Sequence, residues 1–160
     1  MSAALFALTL ATALGAGAMG GVFYAFSSFV MSGLRRLPAA QGVAAMQSIN
    51  VTAVTPPFMI ALFGTALACV AVIVAAVVTW GEEFAPWLLA GGVIYLVGEI
   101  AVTIAYNVPR NDELAALDPG SAEAAARWPA WAAEWTAGNH VRSAAGVAAA
   151  AALTVALSVG

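Results

Sequence analysis

Four stretches of the chain, at approximately 3–34, 56–80, 85–107 and 130–158, are apolar with few interruptions. Each is long enough to cross the hydrocarbon core of a bilayer, which takes about 20 residues of helix. The pattern breaks differently at each joint between them. The first stretch carries Ala16, Gly17, Gly20 and Gly21, a small-residue face that lets a neighbouring helix come close. It ends at "GLRRLP", where Arg35 and Arg36 suit the negative end of the helix dipole and Pro38 follows. The next segment, "AAQGVAAMQSINVTAV", keeps a helical period but is too polar to span, with Gln47 and Asn50 marking one side. It predicts a short interfacial or re-entrant helix ending at Thr55, a cap for the second span that Pro56 and Pro57 begin.

The second joint, "TWGEEFAPW", is a tight acidic link whose Trp80 and Trp87 fit an interfacial aromatic belt. The third, "NVPRNDELAALDPGSAEAAARWP", is the longest and most polar. Asp118 before Pro119 predicts the start of a short surface helix that stops before Pro129. The fold predicted is an all-α membrane protein, one transmembrane domain over residues 1–160. It is an antiparallel four-transmembrane-helix bundle, with a short interfacial helix between spans 1 and 2 and a short surface helix between spans 3 and 4.

Composition supports this reading, since 63% hydrophobic residues lie outside the soluble globular class. The N-terminus has no Lys or Arg before its apolar run and stays apolar past a normal cleavage point, so it reads as a retained first helix. The five basic residues are all arginines, and with eight acidic ones the formal net charge is −3. No basic stripe exists, so nucleic acid is not expected as a partner. Arg35, Arg36, Arg110, Arg127 and Arg142 all fall on one side of a four-span topology. The positive-inside rule then predicts a cytoplasmic-membrane protein with both termini external and the arginine-bearing loops cytoplasmic. The single cysteine, Cys69, excludes an intrachain disulfide and a cysteine-cluster metal site.

The polar residues inside the spans gather toward the arginine-bearing end. Glu99 lies roughly 12 Å below the end of span three, and Tyr95, Glu99, Thr103 and Tyr106 form one helical stripe. On span four Trp128, Trp131, Trp135, Asn139 and Arg142 form another, with His140 turned about 100° from Asn139. Tyr24 and Asn50 sit in the same half. An ionisable residue inside a span is a functional candidate by default, and one polar pocket is the simplest common solution. The bland readings stand beside it: Glu99 as an ion-pair partner of Arg142, Arg142 snorkelling to headgroups, His140 solvated at the interface, the tryptophans as anchors or packing. A lone histidine cannot make a bis-histidine haem or a paired di-iron site, although Glu99 with His140 could hold a metal with help from water. No phosphate-cradling loop, nucleotide fingerprint or Ser/His/Asp spacing is present.

Four blocks, "GGVFYAFSSFVMSGLRRLP", "AAMQSIN", "NVPRNDEL" and "WTAGNHVRSAAG", in this order and spacing, resemble the bacterial membrane-protein family grouped with fungal anthrone oxygenases. The resemblance implies a four-helix bundle and, for the characterised branch, oxidation of an anthrone to an anthraquinone by molecular oxygen with no organic cofactor. The matching polar positions are Asn107, Pro109, Asn111 and Asp112 in one block and Trp135, Asn139, His140 and Arg142 in another. The expected roles are His140 as base, Asn139 and Arg142 as oxyanion donors, and Glu99 orienting His140 or Arg142. Trp135 and Tyr24 would stack on the rings of a flat aromatic substrate, with Asn107 and Asn50 among the binding residues. The rival reading is a non-enzymatic membrane module that binds a lipid, a quinone or a partner helix. Assembly into a homo-oligomer stays open.

Overall fold

The computed structural model describes residues 1–160 and is all-helical. Its helices are α1 (Ala3–Leu34), α2 (Ala39–Ala53), α3 (Pro56–Val78), α4 (Ala85–Ala115) and α5 (Ala122–Ser158). Four of them, α1, α3, α4 and α5, are long and apolar enough to cross a membrane. They pack as a square in the order α1, α5, α4, α3, with α1 against α5 the most extensive face and α5 the most buried span. The short α2 lies against α5 and the last turns of α4, at the arginine-bearing end.

Glycines decide where the backbones meet. A Cβ at Gly20 would lie 2.8 Å from the Val147 backbone nitrogen, and one at Gly146 would lie 2.6 Å from both Gly20 Cα and Glu99 Oε2. Gly20 and Gly146 therefore form the α1–α5 crossing, with the Glu99 carboxylate of α4 pressed against it. Without a hydrophobic drive between lipid-embedded helices, such close van der Waals contact supplies much of the association. At the opposite end, Gly91 packs under Leu153 and Gly92 under Ile73 and the Cys69 carbonyl, and Val72, Leu88, Leu153 and Ala156 fill the core there. Cys69 is buried and free, and packs in the central core.

Two joints differ in detail from the sequence expectation. Thr55 does occupy the cap position of α3, but only its carbonyl takes part, accepting from Met59 N at 3.0 Å; the hydroxyl caps nothing. The helix after the third joint begins at Ser121, whose Oγ accepts from Ala124 N at 3.0 Å, while Asp118 Oδ1 instead accepts from Gly120 N. That surface helix is continuous with the fourth span, so α5 runs through Pro129 for 37 residues. Proline removes one helical hydrogen bond, but Arg127 bridges it, pairing with Glu134 at 2.8 Å on the far side and with Glu113 of α4. At 1.5 Å per residue α5 is about 55 Å long, so its first turns project beyond a hydrocarbon core of about 30 Å.

Gly20→Ala and Gly146→Ala should each destabilise the bundle by about 1–3 kcal/mol, the usual range for overpacking. Gly21→Ala, where nothing lies within 4 Å of the added carbon, should unfold with the parent protein. Thermal unfolding in detergent followed by circular dichroism checks the contrast.

Candidate functional site

The arginine-bearing end is built on a ladder of indoles. Trp128 and Trp131 stack at 5.6 Å between ring centroids, Trp131 and Trp135 at 6.2 Å, and Phe26 of α1 tilts against Trp135 at 5.9 Å. Spacings of three and four residues put these side chains on one helix face, one above another. The ladder is tied to α4 by its polar edges: Trp131 Nε1 donates to the Arg110 carbonyl and Trp135 Nε1 to Asn111 Oδ1, each at 2.8 Å. Asn107 donates to the Trp135 carbonyl at 3.1 Å. On the other side, Gln47 of α2 donates to the carbonyls of Leu114 and Leu117 at 2.8 and 2.9 Å.

One turn deeper, α1 and α4 both depart from regular α-helix. Phe26–Val30 of α1, and Leu96–Ala101 and Thr103–Asn107 of α4, are π-helical, with Met31 N bonded to the Phe26 carbonyl and Val108 N to that of Thr103. π segments recur at functional sites because the wider turn re-aims side chains and carbonyls. Asn139 of α5 uses this opening, donating to the Phe23 carbonyl at 2.6 Å and to Ser27 Oγ at 2.7 Å. Its Oδ1 accepts from Arg142 Nη2 at 2.7 Å, and Arg142 Nη1 donates to Thr103 Oγ1 at 3.3 Å.

Arg142 is only 5% exposed, with Nε unpartnered. Its guanidinium carbon lies 4.1 Å from the Phe23 ring centroid and 5.1 Å from that of Trp135. Aromatic faces attract a cation most where water is excluded. No ion pair reaches it; the carboxylate–arginine pairs are confined to Arg110, Arg127, Glu113 and Glu134 near the joint. Glu99 is fully buried, and neither carboxylate oxygen has a hydrogen-bond partner.

Arg142, Trp135 and Asn50 line one chamber of about 490 Å³, within the roughly 300–1,000 Å³ typical of small-molecule sites. Its other walls are mostly apolar, including Phe23, Phe26, Met46, Ile49, Phe58 and Leu62, and its polar lining adds Asn111 and Thr103. Exposed Ser48, Thr52 and Val54 lie at its rim. His140 and Tyr24 are elsewhere. Both are exposed, and they line a separate, more open recess of about 660 Å³ on the outer surface between α1 and α5.

The single shared pocket expected from the sequence is therefore divided. Arg142, Asn139, Trp135 and Asn50 come together, with Asn139 behind Arg142 as its acceptor and both its own donors already engaged. Asn107 is buried as a strut under Trp135, and Glu99 lies at the α1–α5 crossing. Glu99 points into the bundle while His140 faces out, so they do not form a joint donor set. No cluster of three or more His, Cys, Asp or Glu donors suited to a metal occurs in the chain. Sequence reading missed Ser27, Phe23 and the apolar wall from α2, because all three enter through the π segment and the fold-back of α2.

Fold and site together define a four-helix integral membrane protein with a ligand-sized chamber at one end of the bundle. A model of the anthrone oxygenase family matches residues 56–152, more than half of the chain, and the chain belongs to that family. Neither a curated protein nor a solved structure matches it.

Asn139→Ala leaves a buried donor on Arg142 without its acceptor and strips the Phe23 carbonyl and Ser27 of the amide donor they share. It should destabilise the protein by about 3 kcal/mol, with Asn139→Asp recovering part of the loss through its contact to Arg142. Chemical or thermal unfolding in detergent checks the order of the two variants.

Proposed function

We propose that this protein is a cofactor-independent membrane oxygenase that holds a flat aromatic ketone of the anthrone type in the Arg142 chamber. The observation that carries the proposal is the buried guanidinium with a free Nε–H, fixed between two aromatic rings on the wall of an otherwise apolar chamber. The substrate's rings pack against Trp135 and Phe26, and its ketone oxygen takes the free N–H groups of Arg142. Loss of one proton from the ring methylene then places negative charge on that oxygen, where a fixed donor in a water-poor site stabilises it most.

The delocalised anion transfers an electron to molecular oxygen, and the radical pair combines into a carbon–oxygen bond. Protonation gives a hydroperoxide. Loss of the second methylene proton with cleavage of the oxygen–oxygen bond releases water and leaves a second carbonyl. One ketone and one O₂ thus become one quinone and one water, with all electrons drawn from the substrate and no external reductant. The first methylene proton leaves to water at the rim by Ser48 and Thr52 and is returned when the peroxide is protonated; the second combines with the departing hydroxide, so both end in the water released.

The roles of the remaining residues follow from their positions. Asn139 and Thr103 hold Arg142, and Glu99 packs at the α1–α5 crossing. The positive-inside rule places this end of the bundle at the cytoplasmic face of the cytoplasmic membrane, with both termini external. A base role for His140 would instead place the substrate in the outer recess, beside Tyr24.

The test is oxygen consumption by the protein in nanodiscs with an anthrone, corrected for autoxidation. Arg142→Gln should lose about 10²–10³-fold of the acceleration, as removal of an oxyanion donor does, while His140→Ala keeps it and dialysis against a chelator changes nothing. Loss in His140→Ala with Arg142→Gln unaffected would move the reaction to the outer recess. No acceleration by folded wild-type protein would leave a module that binds a lipid, a quinone or a partner helix.

A further inference from the structure

The chamber has a second polar wall that the oxidation does not use. Asn50 stands on α2, near its end at Ala53, and lines the chamber from the α2 side, whereas Arg142 reaches it from α5. The Asn50 amide nitrogen is buried and has no hydrogen-bond partner in the protein. Asn50 as a whole is half-buried, but an amide nitrogen cut off from water and left unpaired is costly, so a donor retained in that state is best explained by a ligand acceptor. Its surroundings sharpen the point. Met46, Ile49, Phe58 and Met59 flank it with apolar surface that would suit a bare hydrocarbon edge as well without the amide.

α2 is also held firmly enough to present a group in a defined place. Gln47 fastens it to the carbonyls of Leu114 and Leu117, and Gly42 lies flat against the Trp128 indole. A Cβ at Gly42 would come within 2.8 Å of that ring.

We propose that Asn50 is a specificity-determining residue: it donates a hydrogen bond to an oxygen substituent on the substrate edge remote from the ketone held by Arg142. The proposal rests on the reading of the chamber as the oxygenase site. A site built to hydrogen-bond a substrate oxygen rejects the analogue that lacks it far more strongly than an apolar wall separates two hydrocarbons.

Two substrates are compared on each protein preparation, anthrone itself and a monohydroxylated anthrone with its hydroxyl on the ring edge remote from the ketone. Wild-type protein should favour the hydroxylated substrate in kcat/KM by about tenfold or more. Asn50→Leu should bring the ratio close to one by raising KM for that substrate. Because the ratio is taken within one preparation, a partly folded variant does not distort it, and Asn50→Gln serves as a second variant retaining the amide. An unchanged preference in Asn50→Leu would overturn the proposal. If wild-type protein oxidises neither compound, the oxygenase reading fails by itself. The recognition is then measured by quenching of tryptophan fluorescence with anthraquinone and its hydroxylated counterpart, and equal affinities in wild type and Asn50→Leu would overturn it too.

Discussion

A guanidinium buried among apolar helices has to be given acceptors by the protein, because neither lipid nor the helix backbone in regular form offers them. Arg142 meets this constraint through Asn139, Thr103 and two aromatic rings. Asn139 can accept from Arg142 in a fixed orientation only because its own amide protons are committed to the Phe23 carbonyl and Ser27. Those two groups belong to α1 at and beside its π segment. The irregular backbone of α1 and the charge on α5 are therefore parts of one arrangement, and the two helices are locked in register where Gly20 and Gly146 let them touch.

The same logic explains why the chamber forms at one end only. Toward Trp80, glycines and alanines allow the spans to close on Val72, Leu88 and Leu153. Toward the arginines, the large side chains Trp128, Trp131 and Trp135 stack along α5, Trp131 and Trp135 tie it to α4 through their indole N–H groups, and α2 folds back over the gap. Gln47 and Gly42 seat α2 there, so a segment too polar to span becomes a wall of the chamber.

Most of the fold was legible because bilayer thickness and the cost of unpaired backbone leave few alternatives for four long apolar runs. The stripe Trp128, Trp131, Trp135, Asn139, Arg142 was legible for the same reason: helical periodicity alone puts these residues on one face, and all are buried. The continuity of α5 through Pro129 was not, since it depends on Arg127 finding Glu113 on another helix. Nor was the partition of the site. Polar residues at similar depth were grouped together, whereas the faces they take on α1 and α5 separate Tyr24 and His140 from Arg142. Tyr24 was read as part of the interior on depth alone, and depth does not say which side of a helix a residue takes.

His140 and Arg142 show that close neighbours in one motif can face different surroundings. Two residues apart on a helix is about 200° of rotation, so the two side chains leave opposite faces wherever the helix stays regular. α5 is regular there, and Arg142 enters the chamber while His140 faces the outer recess. On the proposed reading, chemistry in the chamber proceeds without an imidazole. For an anthrone-type ketone this is no obstacle, because the difficult step is to make the carbanion, and stabilising its oxyanion lowers that barrier whichever molecule accepts the proton. An arginine held rigid by Asn139 and Thr103 and screened from water by Phe23 and Trp135 is suited to that task, since its donors need not reorganise as the charge develops.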